Sequence, residues 1–451
     1  MEGPKDGGIN FVRALITSRF VGRYKMIKSS FNVLLASLLL SSQALSLTPA
    51  AKTLVQLETK ANGASLRSDQ PIPMPHFEIP VEYLQANFAD RIRPDILKHL
   101  IFNKNGKNYL RWILNPEDTM WSNKVAEYFR TKGLLLQKEY YFTGYQTASR
   151  SYIVEDPAHE TQFSVKSSTN KTGGNWSDKK QPVGEAIDSR LNADFLADIQ
   201  NKLAFKNIII LDEPAIFGIG AIDQAVVIRD LGPMNDAKSE MIYVPGFSVL
   251  HEDIGLKIAA LNGAKNVRSY WRENYVKPVA RALGEFAART GMAFDSPHSQ
   301  NFLVEMTKDY KPTGRIVFRD LADLYIHKNI ATAIHSDAES YFKSFHQKEN
   351  LISVIAGSFG PLHGNKFPSW MSKFGYSQWK KDYYSEFEKT FEAESQIPVS
   401  EFKQKNGRMS GRYFSNYYQI PKNEATKGYW RNMFEYQTPK GNLNCSYIFM
   451  M

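Results

Sequence analysis

His298, Gln300 and Asn301 stand just before one apolar run, and Arg319 and Asp320 close another. The runs Phe302 to Met306 and Ile316 to Phe318 flank a polar turn at Lys308 to Gly314, the pattern of a β-hairpin. Such a hairpin brings the polar residues at its strand ends to one place. The oxygens of Gln300, Asn301 and Asp320 are hard donors of the kind Mg²⁺ takes, while His298 and Arg319 can donate to phosphate oxygens. The chemistry these types suit is that of a metal-bound phosphate.

The elements that must position this cluster are legible on both sides of it. Asn207 to Leu211 and Ala225 to Ile228 are short apolar runs of buried-strand type, the second ending in Arg229-Asp230. Trp271, Tyr275, Val279, Leu283 and Phe286 recur every three or four residues, so Val267 to Thr290 is predicted as a helix, bent at Pro278 and stopped by Gly291. Tyr140 to Val165 is strand-like, Ser167 to Pro182 is a polar loop, and Asn192 to Leu203 is helical. Residues 77–140 read as a small helical region with Trp112 and Trp121 as core anchors. Asp337 to Glu394 reads as helical and aromatic, with its rings in a core rather than on a binding platform. The fold class expected is α+β.

The chain has 451 residues, 43% of them hydrophobic and 13% aromatic, which is ample for packed cores. Of the +10 formal charge, +4 lies in the first fifty residues, where six Lys or Arg face only Glu2 and Asp6. No long basic run or zinc-type spacing accompanies it, so no nucleic-acid partner is expected. The single cysteine, Cys445, rules out an internal disulfide framework. His251, His327, His335 and His346 lack metal-ligand spacing. Met26 to Lys28, the apolar run Val33 to Leu40 and the site Ala44-Leu-Ser46 have the layout of a secretory signal peptide, with Met26 as a possible start. No segment is long and apolar enough to be expected to span a membrane. The expected partition is therefore 1–50 leader, 51–76 linker, 77–140 small helical region, 141–335 ligand-binding palm and 336–451 helical and aromatic region.

Four blocks, in order, resemble the aerobactin-synthetase (IucA/IucC) type of siderophore synthetase, which works without a peptide-synthetase assembly line. Gln146-Thr-Ala-Ser-Arg150-Ser151 resembles that family's S-S-x-R-T nucleotide turn. Ile210-Leu-Asp-Glu213-Pro-Ala215 with Val227-Ile-Arg229-Asp230 is similar to its R-E-P-A-G and I-L-R-E strands. Tyr270-Trp-Arg-Glu-Asn-Tyr-Val-Lys-Pro278 resembles W-L-x-x-Y-x-x-P. Met292-Ala-Phe-Asp-Ser-Pro-His298-Ser-Gln300-Asn301 resembles I-A-L-E-A-H-x-Q-N, and Arg319-Asp320 the start of R-D-F-G-G. The resemblance covers roughly Gln146 to Tyr325. The family's upstream H-P-x-H-K segment has no counterpart, Ser296 stands in the place of its glutamate, and R-D-F-G-G becomes Arg319-Asp-Leu-Ala-Asp323.

The resemblance implies a mixed or antiparallel palm sheet with flanking helices around an ATP and Mg²⁺ cleft. It implies activation of a citrate-like carboxylate as an acyl-adenylate, then capture by an amine, hydroxylamine or alcohol. Catalytic roles fall on His298 and Arg150, nucleotide contacts on Ser151, Lys166, Ser168, Thr169, Lys171, Arg190, Gln300 and Arg319, and Mg²⁺ on Gln300, Asn301 and Asp320. A homodimer is compatible with this reading. The plainer expectations stand beside it: Arg319-Asp320 as an ion pair closing the hairpin, and Glu213 paired with Arg229. Two other functions fit some of the same residues. His298-x-x-Asn301 followed by Asp320 resembles the metal layout of small-molecule kinases, although no glycine-rich loop followed by a strand lysine accompanies it. An exported, non-catalytic binder of a polycarboxylate or ferric chelate suits the leader better, since little ATP is found in a periplasm or outside a cell. If the leader is not a signal, the protein is expected to be cytoplasmic.

Overall fold

The computed structural model describes residues 47–62, 68–147, 150–171, 178–294, 299–326, 340, 353–354, 366–395 and 416–417. The leader at 26–46, His298 with its neighbour Asp295, and His327, His335 and His346 lie outside the described residues. So does most of the expected C-terminal region.

Among the described residues seventeen strands form four sheets, one of them only the short pair Ser353–Val354 with Asn416–Tyr417. The largest has nine antiparallel strands in the order β2 (Gln85–Phe88), β9 (Ala215–Ile219), β10 (Gln224–Arg229), β7 (Gln162–Ser167), β6 (Ser151–Glu155), β5 (Glu139–Gln146), β1 (Ile72–Pro80), β4 (Lys107–Ile113), β3 (Ile101–Lys104). The second runs β11 (Met241–Pro245), β13 (Phe302–Thr307), β14 (Pro312–Phe318), β8 (Ile208–Ile210), with only β14 and β8 parallel. A separate short pair, β12 (Met292–Phe294) and β15 (Leu324–Ile326), forms the third sheet. The expected hairpin is β13 and β14, with Phe302 opposite Phe318 and Val304 opposite Ile316.

Two expectations for the first third of the chain are corrected. Residues 77–140 are not a helical region: they carry β2, β3, β4, the end of β1 and the start of β5, with only two α-helices, α2 (Pro94–Leu100) and α3 (Trp121–Arg130). In β4 the side chains alternate, Leu110 and Trp112 buried and Arg111 only partly so, a period of two that the aromatic content masks when read as a helix. The sheet also crosses the expected boundary at residue 140, since β1 pairs with β5. The segment read as leader end and linker contains helix α1 (Pro49–Ala61) and the start of the first strand. Thr48 caps α1 with its hydroxyl on Ala51 N at 3.3 Å, and Pro49 sits where its missing N–H costs nothing. Ala50, Ala51, Leu54 and Val55 form its buried stripe, packed with Tyr243, Leu303 and Val317 of the second sheet and Ile153 of the first.

The other helices behave as their periodicity indicates. Helix α4 spans Val183–Lys202, and α5 spans Glu252–Leu261. The Val267 to Thr290 stretch comprises α6 (Val267–Trp271), a π turn (Arg272–Val276) and α7 (Lys277–Thr290), ending on Gly291 at φ 69°. The bend expected at Pro278 takes the form of this π turn, which widens the ladder just before a residue that has no N–H to give. Helix α8 (Lys373–Ser395) buries Trp379, Tyr383, Phe387 and Phe391 at four-residue spacing and packs on α7. The two approach closely at Gly284, where a Cβ would lie 2.8 Å from the Phe387 carbonyl oxygen. Beneath the hairpin, Phe286, Phe294, Phe302 and Phe318 pack edge to face with centroids 5.3 to 5.4 Å apart, which fixes its base.

Candidate functional site

The site is built where the face of the nine-stranded sheet meets the end of β14. Ser151, Lys166 and Val227 stand abreast on β6, β7 and β10, so Lys166 and, two residues beyond Val227, Arg229 share one face of the sheet. Asp320 follows β14 in the left-handed region, φ 72° and ψ 67°, which an aspartate tolerates better than a bulkier residue. That turn delivers its carboxylate to the sheet face. Asp320 Oδ1 accepts from Lys166 Nζ at 2.5 Å and lies 3.8 Å from Arg229 Nη2.

Burial alone would push the Asp320 carboxyl up, but Lys166, Arg229 and Arg150 hold it well below the usual carboxylate range. Arg229 is itself buried and gives Nε to Glu213 Oε1 at 2.9 Å, while the other Glu213 oxygen takes the Ser189 hydroxyl of α4. The expected pairing of Glu213 with Arg229 is what the structure has. Arg150 donates to the Lys180 carbonyl and lies 3.4 Å from Glu185. Lys179 adds a fourth cation: burial, with Arg150 and Lys166 as like charges, brings its pKa down to about 8 against the pull of Asp320 and Asp323.

Other sequence candidates occupy different positions. Arg319 does not pair with Asp320 or face the sheet: it is buried against Glu58 of α1 and donates Nε to the Gln300 carbonyl at 2.9 Å. Successive residues at a strand end point to opposite sides, and the left-handed turn at Asp320 keeps them apart. Gln300 therefore meets Arg319 through its backbone, while Asn301 is buried with Nδ2 3.4 Å from Asp323 Oδ2. Ser168 Oγ accepts from Gln181 N at 2.7 Å, and Thr169 Oγ1 donates to the Lys171 carbonyl at 2.8 Å, so both hydroxyls turn the chain locally. Lys171 is exposed. Arg190 pairs with Asp194 in a separate network, where Arg91 joins Asp194 and takes both Asp212 oxygens at 2.8 Å.

Sequence reading missed Lys179, Asp323 and Glu58 in these roles. Asp323 could have been found, since it follows Asp320 by three residues in a tight turn. Among the described residues no cluster of three or more His, Cys, Asp or Glu could hold a metal alone. Asp320, Asp323 and Asn301 carry carboxylate and amide oxygens of the hard-donor type that Mg²⁺ takes, with Asn301 and Asp323 adjacent.

The described unit is thus an α+β protein: a broad antiparallel sheet, a smaller mixed sheet, and a helical pair, with a cluster of cations around Asp320. No family model and no curated protein matches its sequence. Among solved structures it is similar to the petrobactin biosynthesis protein AsbB from Bacillus anthracis, at 15% identity over 63% of this chain and 53% of that one, with a TM-score of 0.47. It is likewise similar to aerobactin synthetase IucC from Klebsiella pneumoniae, at 14% identity, 61% and 54% coverage and a TM-score of 0.46. The ATP-bound aerobactin synthetase IucA of Klebsiella pneumoniae gives 13% identity, 74% and 64% coverage and a TM-score of 0.45. The chain spans between about half and two thirds of the length of these proteins. The resemblance read from the sequence blocks is met by this distant and partial likeness.

Proposed function

We propose that this chain is a siderophore-synthetase-like protein that binds MgATP on the Lys166 and Asp320 face and condenses a citrate-like carboxylate with an amine, hydroxylamine or alcohol. The observation that carries the reading is the placement of Lys166 Nζ at 2.5 Å and Arg229 Nη2 at 3.8 Å from Asp320 Oδ1, with the charges of Arg150 and Lys179 acting at the same place. A polyphosphate neutralises such a set, and preorganised cations are what adenylation requires. A substrate carboxylate oxygen attacks the α-phosphorus and pyrophosphate leaves; the acceptor nitrogen or oxygen then attacks the acyl carbon and AMP leaves. Arg150, Lys166 and Lys179 screen the charge on the phosphates as the carboxylate approaches, and Arg229, fixed by Glu213, keeps Asp320 ionised. Mg²⁺, held by Asp320, Asp323 and Asn301, would draw charge from the phosphate oxygens. His298 remains the proposed partner of the α-phosphate on sequence grounds alone.

ATP–pyrophosphate exchange in the presence of citrate and other carboxylates tests the reaction. Exchange above background is expected; no exchange together with no ATP-dependent rise in Tm removes the enzyme reading. The second reading is a polycarboxylate-binding protein that does not catalyse. It rests on Arg150 and Lys166, since Arg319, the third cation expected to hold such a ligand, is withdrawn into its pair with Glu58. Citrate binding indifferent to ATP and Mg²⁺ would support it. It also suits export through the leader proposed at 26–46, and no helix among the described residues is long and apolar enough to cross a membrane.

A further inference from the structure

Helix α4 lies against the turn that carries Asp320, and its polar residues meet the site at three points. Glu185, Ser189 and Asn192 fall at i, i+4 and i+7, one face of a helix. Glu185 lies 3.4 Å from Arg150, the Ser189 hydroxyl donates to Glu213, and Asn192 Nδ2 donates to the Leu321 carbonyl at 2.8 Å. The first two contacts end on charged side chains. The third ends on backbone, one residue past Asp320 and 129 residues from Asn192 in sequence.

That stretch of backbone needs holding. Asp320 is a non-glycine residue in the left-handed region, a conformation that persists only where its surroundings impose it. Before it, Arg319 N donates to the Asn301 carbonyl at 3.1 Å; after it, Leu324 pairs with Phe294 across β15 and β12. Within the turn, the bond from Asp323 N to the Asp320 carbonyl is 3.3 Å, long for its type, and Leu324 N reaches the Leu321 carbonyl. Asn192 takes the second lone pair of that carbonyl. The contact fixes the amide's orientation, since the flipped amide would set two oxygens together. Asn192 is buried, and its Oδ1 has no hydrogen-bond partner among the described residues. A buried amide with one end unsatisfied costs stability that an apolar side chain of similar size would not. Its donor is what the position gains.

We propose that Asn192 is a positioning residue: its side-chain N–H pins the Leu321 carbonyl and so holds the Asp320 turn against Lys166 and Arg229. The consequence for nucleotide binding rests on the reading of that cluster as a polyphosphate site; the pinning of the turn does not. A purely structural amide would support the fold as a whole. A positioning one fixes the turn and leaves global stability almost unchanged when it is replaced by an apolar side chain.

The test is amide hydrogen exchange at Asp323 and Leu324 in the full chain, read beside the β13 and β14 hairpin. Asn192→Leu removes the donor and the unsatisfied oxygen together, so its Tm is expected within about 4 °C of wild type. Exchange at the two turn amides is expected to rise about fivefold, the worth of one hydrogen bond, with the hairpin unchanged. Asn192→Ala, which leaves a cavity, is expected to loosen the same two amides with a lower Tm. Unchanged turn exchange in both folded variants, or a rise spread equally over the hairpin, overturns the proposal, as does failure of both variants to fold. MgATP titration of the same proteins separates the two readings. About fivefold weaker binding by Asn192→Leu extends the positioning to the nucleotide, and binding equal to wild type overturns that extension. A wild type that binds no MgATP while the turn amides still loosen in the variants supports the pin and overturns the nucleotide reading alone.

Discussion

Replacing Glu213 by alanine should unsettle the site more than any exposed substitution around it. Glu213 is fully buried, takes Arg229 Nε at 2.9 Å on one oxygen and the Ser189 hydroxyl on the other, and leaves Arg229 with Asp320 at 3.8 Å as its next carboxylate. Removing one partner of a buried ion pair leaves an uncompensated charge, which costs about 3–5 kcal/mol. Burial pushes the Arg229 guanidinium down, and Glu213 and then Asp320 hold it up, so its charge does not vanish when one carboxylate is lost. Glu213→Gln retains shape and an acceptor and should cost less, about 1.5–3 kcal/mol, the worth of hydrogen bonds to a charged group. The assay is urea unfolding at pH 7.5 followed by tryptophan fluorescence, with the midpoint compared at constant slope. Paired replacement, Glu213→Leu with Arg229→Met, should recover at least half the loss, because no charge is left stranded. A Glu213→Ala variant within 1 kcal/mol of wild type, or a paired variant less stable than it, would refute this account of the buried chain.

Glu58→Ala should cost about 3 kcal/mol by leaving the buried Arg319 with only the Gln300 carbonyl, and should speed proteolysis within residues 50–61; an unchanged cleavage rate counts against α1 being locked by that pair. Acid titration should show the contribution of Asp320. Its folded carboxyl is depressed below the ordinary 3.8, so its stabilisation is fully present above that value and is lost as pH falls below it toward the folded value. Asp320→Asn should therefore be less stable at pH 7 and show a shallower loss between about pH 4 and 2, measured by Tm; parallel curves for the two proteins would count against it.

Much of the frame was legible in the sequence because it is written in local periodicity. The β13 and β14 hairpin, the apolar strands near 208–210 and 224–229, and the helix ending at Gly291 all follow from runs and stops a few residues long. The first third misled for physical reasons. The stripe of α1 is half alanine and reads as linker, while the pairing of β1 with β5 sets tertiary context over the local pattern. At the site, Lys166 and Asp320 were found from their motifs, but their contact joins a strand to a turn 154 residues away. Arg319 was misassigned because its partner, Glu58, is 261 residues distant on a helix that no pattern predicted. Lys179 escaped notice because it reaches the cluster through a backbone bridge to Thr169 across a polar loop.

The central claim is that the cations around Asp320 form a polyphosphate site, and calorimetric titration of MgATP into the wild type and Lys166→Met tests it most directly. Saturable binding by the wild type is expected, with at least about tenfold weaker binding, about 1.4 kcal/mol, by folded Lys166→Met and Arg319→Lys within about twofold of wild type. No binding by the wild type, or equal binding by Lys166→Met, would contradict it.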